Sequence, residues 1–296
     1  MKEKIKQLIR FDWAMKRLLR NKANFGILEG FLSELLQMDI VIVEILDAES
    51  NKETKKDKFN RVDLLVKDSK DELIIIEVQN DSEYDYFQRM LYGVSKAISE
   101  HIDEGSAYSK VKKVIAVNLV YFNLGQGEDY VYYGETSFRG THKKDILGLS
   151  KKQKDTFKVE LVKNIFPEYY IIKVNNFDDN AQNSLDEWIY FFKNSVIKSN
   201  FSAKGIKEAA EKLDIMKLPQ KEQEAYKEYV AGLRDAASKA ETLRIDTQEL
   251  LNEAEQKTKR EIIIELWKIN IPIENIATVS KYSVVQIEQI IEEYRK

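Results

Sequence analysis

Asp63, Glu77 and Gln79 stand where an apolar strand has no reason to carry them. Arg61-Val62-Asp63-Leu64-Leu65-Val66 and Leu73-Ile74-Ile75-Ile76-Glu77-Val78-Gln79 both read as strands: apolar, rich in β-branched residues, and separated by a charged turn from Lys67 to Glu72. The side-chain period of two puts Glu77 and Gln79 on one face and Ile76 and Val78 on the other. A hairpin whose turn centres on Lys70 sets Asp63 directly across from Glu77, with Cβ atoms about 5 Å apart. Two carboxylates that close repel unless a proton or a cation lies between them. A hard divalent cation held by oxygen satisfies both: Mg²⁺, or Mn²⁺ in its place, with the Val78 carbonyl as a third ligand. Such an ion lowers the pKa of a bound water, polarises a phosphoryl group and shields the scissile phosphate, so the expected reaction is phosphodiester hydrolysis by an in-line water. Gln79 is placed to orient that water by hydrogen bonding; an amide does not titrate in the useful range, so it is neither base nor cation. As a bare pattern, Asp-x13-Glu-x-Gln also fits a surface-facing hairpin edge.

The flanking segments have to bring these groups together. Residues 10–20 read as a short amphipathic helix with Phe11, Met15, Leu18 and Leu19 on one face. A second helix is expected at about 24–37, striped by Phe25, Leu28, Leu32 and Leu36. Glu29 falls on that stripe, either as a third acid of the site or as a stripe-edge group reaching water. A strand is expected at 40–46 and a polar loop at 47–60. A helix over about 84–102 follows the hairpin, with Phe87, Met90, Leu91, Val94 and Ile98 as its buried side. Its other side lines up Tyr86, Arg89, Tyr92 and Lys96, a row placed to approach the carboxylates or to lie exposed. Lys16 and Lys96 are the candidates for added positive charge.

Further strands are expected at 113–122, nearly all apolar as for a central strand covered on both faces, at 130–138 and at 169–174. A helix over 185–197 carries Trp188, Ile189, Phe192 and Val196 inward. This alternation indicates an α/β fold with a mixed sheet over residues 1–200. Residues 201–260 are rich in Ala, Glu and Lys and read as helix interrupted at Pro219. A weak 3-4 alternation from Tyr226 to Ala254 suits either a homodimer through the C-terminal helices or a helix lying on its own domain. Residues 261–296 read as a small helix-turn-helix-like unit: Pro272 opens one helix and Ser283-Val284-Val285-Gln286 is a capping box opening the next. Glu288, Glu292 and Glu293 on that last helix disfavour a phosphate contact, so a packing or interaction unit is expected.

Composition narrows the rest. The chain has no Cys, which excludes disulfides and Cys-ligated zinc or iron–sulfur centres. His101 and His142 are its two histidines, too few for a His-rich metal site, and both read as surface residues. No apolar run approaches the ~20 residues of a membrane span. The N-terminus is charged and amphipathic, without the apolar core of a secretion signal, so a cytoplasmic protein with no membrane association is expected. Net charge is −3, yet residues 1–22 carry eight Lys/Arg against two acids, and residues 143–163 seven Lys against three. These basic flanks suit either a solvated face or a nucleic-acid backbone.

At these residues the sequence resembles the PD-(D/E)XK nuclease superfamily, and within it the bacterial recombination-promoting nuclease and transposase group. The matching segments are Phe11-Asp12-Trp13-Ala14-Met15-Lys16, Phe31-Leu32-Ser33-Glu34-Leu35-Leu36, Asp57-Lys58-Phe59-Asn60-Arg61-Val62-Asp63, Ile75-Ile76-Glu77-Val78-Gln79 and Tyr86-Phe87-Gln88-Arg89-Met90-Leu91-Tyr92. The resemblance covers roughly residues 10–200, and the tail is similar to the helical ends of that group. It implies a restriction-endonuclease-like mixed sheet flanked by helices, an all-α C-terminal region, Asp63 and Glu77 as metal ligands, and double-stranded DNA as substrate. Gln79 stands where the superfamily usually has Lys; the group characteristically carries Gln there, which leaves the lysine's role unassigned. The expected function is a Mg²⁺-dependent DNA endonuclease associated with recombination or transposition. The alternative is a catalytically impaired DNA-binding or assembly protein on the same fold.

Overall fold

A computed structural model describes residues 8–46, 63–102 and 105–295. The chain divides into two compact units, one up to Gln223 and one from Glu224. The expected loop at 47–60, with Arg61 and Val62, lies outside the described residues.

The first unit is built on six strands: β1 (Ile42–Leu46), β2 (Leu64–Asp68), β3 (Leu73–Gln79), β4 (Val114–Val120), β5 (Val131–Gly134) and β6 (Glu168–Lys173), in the order β1-β2-β3-β4-β6-β5. The helices are α1 (Phe11–Arg17), α2 (Phe25–Leu36), α3 (Tyr86–Glu100), α4 (Lys151–Phe157), α5 (Ser184–Asn194) and α6 (Ile206–Lys212). β2 runs antiparallel to both of its neighbours, β1 and β3, whereas β4 runs parallel to both β3 and β6. This is the mixed sheet expected from the sequence. All seven residues of β4 are buried, as a strand with two neighbours and two covered faces requires.

The hairpin pairs Leu64 with Ile76, Leu65 with Ile75, Val66 with Ile74 and Lys67 with Leu73. That is the register of a turn centred on Lys70. Asp68 fastens the turn: its Oδ1 accepts the backbone N–H groups of Lys70 and Glu72, each at 2.9 Å. Asp71, at φ 65°, takes the left-handed position that aspartate tolerates.

The two faces of the sheet are covered differently. Leu65, Leu73, Ile75, Val114 and Ala116 pack against Val94 and Ala97 of α3. Elsewhere an aromatic cluster ties α1, α2 and α5 together: the Phe11 and Phe192 rings lie 4.3 Å apart and those of Phe31 and Phe192 4.8 Å, with Trp188 beside them. Fully burying such side chains is worth ~1.5–3 kcal/mol each.

Helix α3 presents a different face from the one its large apolar residues suggest. Phe87 and Leu91, expected inside, are 50% and 59% exposed; Tyr86, expected on the polar row, is fully buried. The inward stripe is Tyr86, Met90, Gly93, Val94 and Ala97. Small residues at 93 and 97 let the helix lie close to the sheet, and the Tyr86 hydroxyl donates to Asn118 Oδ1 at 3.3 Å, so a tyrosine can be buried there. In the 143–160 segment, α4 is an unforeseen helix, opened by a capping box between Ser150 and Gln153.

The second unit begins within α7 (Gln220–Lys268), a 49-residue helix that continues past residue 260, where the sequence suggested a change of segment. Most of its expected seam is solvent-facing; Leu243 is 67% and Leu250 66% exposed. α8 (Ile273–Ser280) follows Pro272, and α9 (Val284–Arg295) is opened by the reciprocal Ser283–Gln286 capping box. Ile263, Ile276, Ile287, Ile290 and Ile291 form its core, and Glu288, Glu292 and Glu293 are exposed.

α2 lies close against the turn before α6 at Gly30. A Cβ on Gly30 would stand 2.3 Å from the Lys204 carbonyl oxygen and 2.7 Å from Gly205 Cα. Both obstacles are backbone, so Gly30→Ala is expected to cost about 1–3 kcal/mol. Gly232, on the exposed surface of α7, has nothing within 4 Å of a built Cβ. There the substitution to Ala is expected to stabilise by up to ~1 kcal/mol through helix propensity. Urea denaturation of the two variants checks the opposite signs.

Candidate active site

The site forms where β2 begins and β3 ends. Asp63 precedes Leu64, whose partner is Ile76, so Asp63 and Glu77 meet at the next rung. Each carboxylate accepts a main-chain N–H across the hairpin: the Asp63 N–H donates to Glu77 Oε2 at 3.2 Å, and the Val78 N–H donates to Asp63 Oδ2 at 2.8 Å. In a strand the N–H and C=O of one residue leave on the same edge, so the Val78 carbonyl also faces the Asp63 side. Both acids are largely withdrawn from water, with side-chain exposures of 14% for Asp63 and 9% for Glu77.

Cations surround the pair. Lys16 of α1 reaches Asp63 Oδ1 at 3.3 Å, and Arg20 donates to the Asp63 carbonyl at 2.9 Å. Arg89 of α3 places Nη2 2.7 Å from Glu77 Oε1, while its Nη1 donates to Glu83 Oε1 at 2.9 Å and Oε2 at 3.2 Å. Glu83 also accepts from Gln79 Nε2 at 2.9 Å. Gln79 and Glu77 therefore face the same side of β3, joined through Glu83 and Arg89.

A small cavity of about 20 Å³, room for about one water, lies beside the acids between Glu77, Tyr86, Arg89 and Asn118. Asn118 sits opposite Glu77 in the β3–β4 ladder and is buried. A neighbouring network holds the end of β3. Asp12 accepts from Arg10, from the Trp13 N–H at 2.8 Å and from Asn80 Nδ2 at 2.9 Å, and Arg10 also donates to Asn80 Oδ1 at 2.9 Å.

Burial, reinforced by the facing Asp63 carboxylate, pushes the Glu77 carboxyl up to about 7 against the opposing pull of Arg89. Burial likewise pushes the Tyr86 phenol up, helped by the negative charge of Glu77. For Arg89, burial opposes the charge, but Glu77 and Glu83 outweigh it and raise the pKa.

Of the residues singled out in the sequence, Asp63, Glu77, Val78, Gln79 and Arg89 come together, as does Lys16. Tyr92, one turn beyond Arg89, is 47% exposed. Glu29 is not brought to the pair. Its Oε1 accepts the Ile42 N–H at 2.8 Å, and Ile42 pairs with Asp68, five residues along β2 from Asp63, or about 16 Å at strand rise. Lys96 is seven residues along α3 from Arg89, about 10 Å, and pairs with Glu100 at 3.6 Å. The sequence reading missed Glu83, Arg20 and Asn80. Glu83 sits among ordinary polar loop residues and carries no local signal. Asp12 did carry one, an acid among Phe11, Trp13 and Met15 on a short helix.

Residues 9–242 match the family described as PD-(D/E)XK nuclease family transposase. The chain belongs to this family. The match takes in α1, the whole sheet and the acid pair. No curated protein and no solved structure matches the chain.

The donor set of this nuclease-family site suits a hard divalent metal: two carboxylates and a main-chain carbonyl at one strand end, with open positions for water. Among the described residues no cluster of three or more acidic or histidine side chains is assembled, so a metal held here would draw on the carbonyl and water as well.

In metal-free protein the Glu77 carboxyl holds its proton more tightly folded than unfolded, so stability falls as pH rises from about 4.5 to about 7. The full effect is at most ~3 kcal/mol. Glu77→Gln, which cannot ionise, is expected to unfold at a higher temperature than the wild type at pH 8 in EDTA, and to lose that advantage at pH 5. An advantage of equal size at both values would show that Glu77 ionises as an ordinary carboxylate.

Proposed function

We propose that this protein is a divalent-metal-dependent endonuclease that hydrolyses phosphodiester bonds in double-stranded DNA, working in the cytoplasm in recombination or transposition. The observation that carries the reading is the meeting of the Asp63 and Glu77 carboxylates across the β2–β3 hairpin in a chain of the PD-(D/E)XK nuclease family. Asp63, Glu77 and the Val78 carbonyl would hold Mg²⁺, or Mn²⁺. When bound, the ion supplies a more acidic water and charge stabilisation at the phosphate. Gln79, with its amide nitrogen engaged by Glu83, offers Oε1 to orient the attacking water. Lys16, 55% exposed beside Asp63, presents a cation toward an approaching phosphate. The exposed leucines of α7 suit a homodimer formed through the C-terminal helices. No helix among the described residues is long and apolar enough to cross a membrane.

A second reading is favoured by Gln79, which stands where the superfamily pattern places a lysine: a DNA-binding or assembly protein without cleavage. Plasmid nicking separates the two. Cleavage is expected with Mg²⁺ or Mn²⁺, to stop in EDTA, and to fall at least ~100-fold in Asp63→Ala and Glu77→Ala, since lost metal ligands cost more than lost outer-shell partners. Metal-independent, salt-sensitive DNA binding with no nicking would establish the second reading instead. Lys16→Ala is expected to weaken DNA binding in all sequences alike and to flatten its salt dependence by about one unit of slope.

A further inference from the structure

The Arg89 guanidinium is divided between two acids rather than committed to one. Nη2 takes Glu77 Oε1 at 2.7 Å, and Nη1 takes both oxygens of Glu83, at 2.9 and 3.2 Å. The third nitrogen, Nε, is buried and finds no acceptor among the described residues. A guanidinium placed as a permanent structural clamp would ordinarily have its buried donors satisfied. The side chain is 32% exposed and, with Glu77, lines the small cavity.

The group that Arg89 occupies, the Glu77 carboxylate, is one proposed above to hold the metal. A guanidinium already 2.7 Å from Glu77 Oε1 repels a divalent cation drawn to the same carboxylate and competes for its charge. Glu83 offers Arg89 a complete alternative partner. Its carboxylate already accepts from Nη1, and it is itself steadied by Gln79, two residues beyond Glu77 on the same strand face.

We infer that Arg89 is a displaceable counter-charge: it neutralises Glu77 in the metal-free site and is handed over to Glu83 when a divalent metal binds. Glu83 is then a positioning residue acting through Arg89. The transfer leaves a positive group beside the loaded metal, facing the substrate side, and so supplies the charge that Gln79 cannot. This inference rests on the metal-binding reading above.

The test is Mn²⁺ binding to the full chain by isothermal titration calorimetry at pH 8, without DNA. Arg89→Met removes the competitor and is expected to tighten Mn²⁺ binding about tenfold, within the usual range of coupling between two ligands at one site. Arg89→Lys retains a charge beside Glu77 and is expected to stay within about threefold of the wild type. Glu83→Gln removes the alternative partner, holds Arg89 on Glu77 and is expected to weaken Mn²⁺ binding. In the Arg89→Met background the same Glu83→Gln change is expected to have no effect, because its action runs through Arg89. Unchanged or weaker binding in Arg89→Met overturns the inference, as does an equal Glu83→Gln effect in both backgrounds. Asp63→Ala separates this failure from that of the metal site itself. If the wild type's Mn²⁺ binding survives that change, the metal reading and the inference both fall. If it is lost while Arg89→Met gives no gain, the inference alone is overturned.

Discussion

Two carboxylates forced to face each other across one hairpin rung are the constraint around which this site is arranged. Like charges at that distance raise each other's cost of ionisation, and burial raises it further at Glu77. The fold meets the cost locally. Main-chain N–H groups of Val78 and Asp63 each take one oxygen, Lys16 stands by Asp63, and Arg89 holds Glu77. Each donor comes from a different part of the chain: the two strands themselves, α1 and α3. An apolar pair in these positions would need none of them. Buried, facing carboxylates surrounded by cations are what the proposed metal site would require.

The sheet makes that placement rigid. β4 is buried along its whole length and runs parallel to β3 on one side and β6 on the other. It fixes β3 from behind while β2 fixes it from the front. A slip of one residue in the β2–β3 register would turn Asp63 and Glu77 to opposite faces, so the site exists only in the observed register. The Arg10–Asp12–Asn80 network adds a polar fastening at the point where β3 ends and the chain leaves toward Glu83.

Much of this was legible in the sequence because it depended on period and spacing. Strand period placed Glu77 and Gln79 together, and a turn centred on Lys70 yields the observed pairing of Leu64 with Ile76. The capping box at Ser283 and the inward Ile287 and Ile290 also follow from local pattern. α3 was misread because its buried face is chosen by fit rather than by size. Gly93 and Ala97 allow close packing, and Asn118 gives the Tyr86 hydroxyl a partner, so Phe87 and Leu91 are left outside. Glu29 looked like a site acid because it interrupts an apolar stripe, yet its carboxylate serves the backbone at the start of β1.

The sequence by itself determined that Asp63 and Glu77 meet across the hairpin and that Glu77 and Gln79 share a strand face, because alternation and turn geometry act over a few residues. It also determined the mixed α/β class, through the order and type of its elements. Only the tertiary structure decided the company those residues keep. Lys16 and Arg20 come from 43 or more residues upstream of Asp63, and Glu83, in the loop before α3, acquires its meaning through Arg89, six residues on. No local pattern encodes such meetings. They arise when the aromatic cluster of Phe11, Phe31 and Phe192 and the close seat of α3 dock their helices against the sheet. The cations beside the acid pair stand on helices, Lys16 on α1 and Arg89 on α3, rather than on the strand at Gln79.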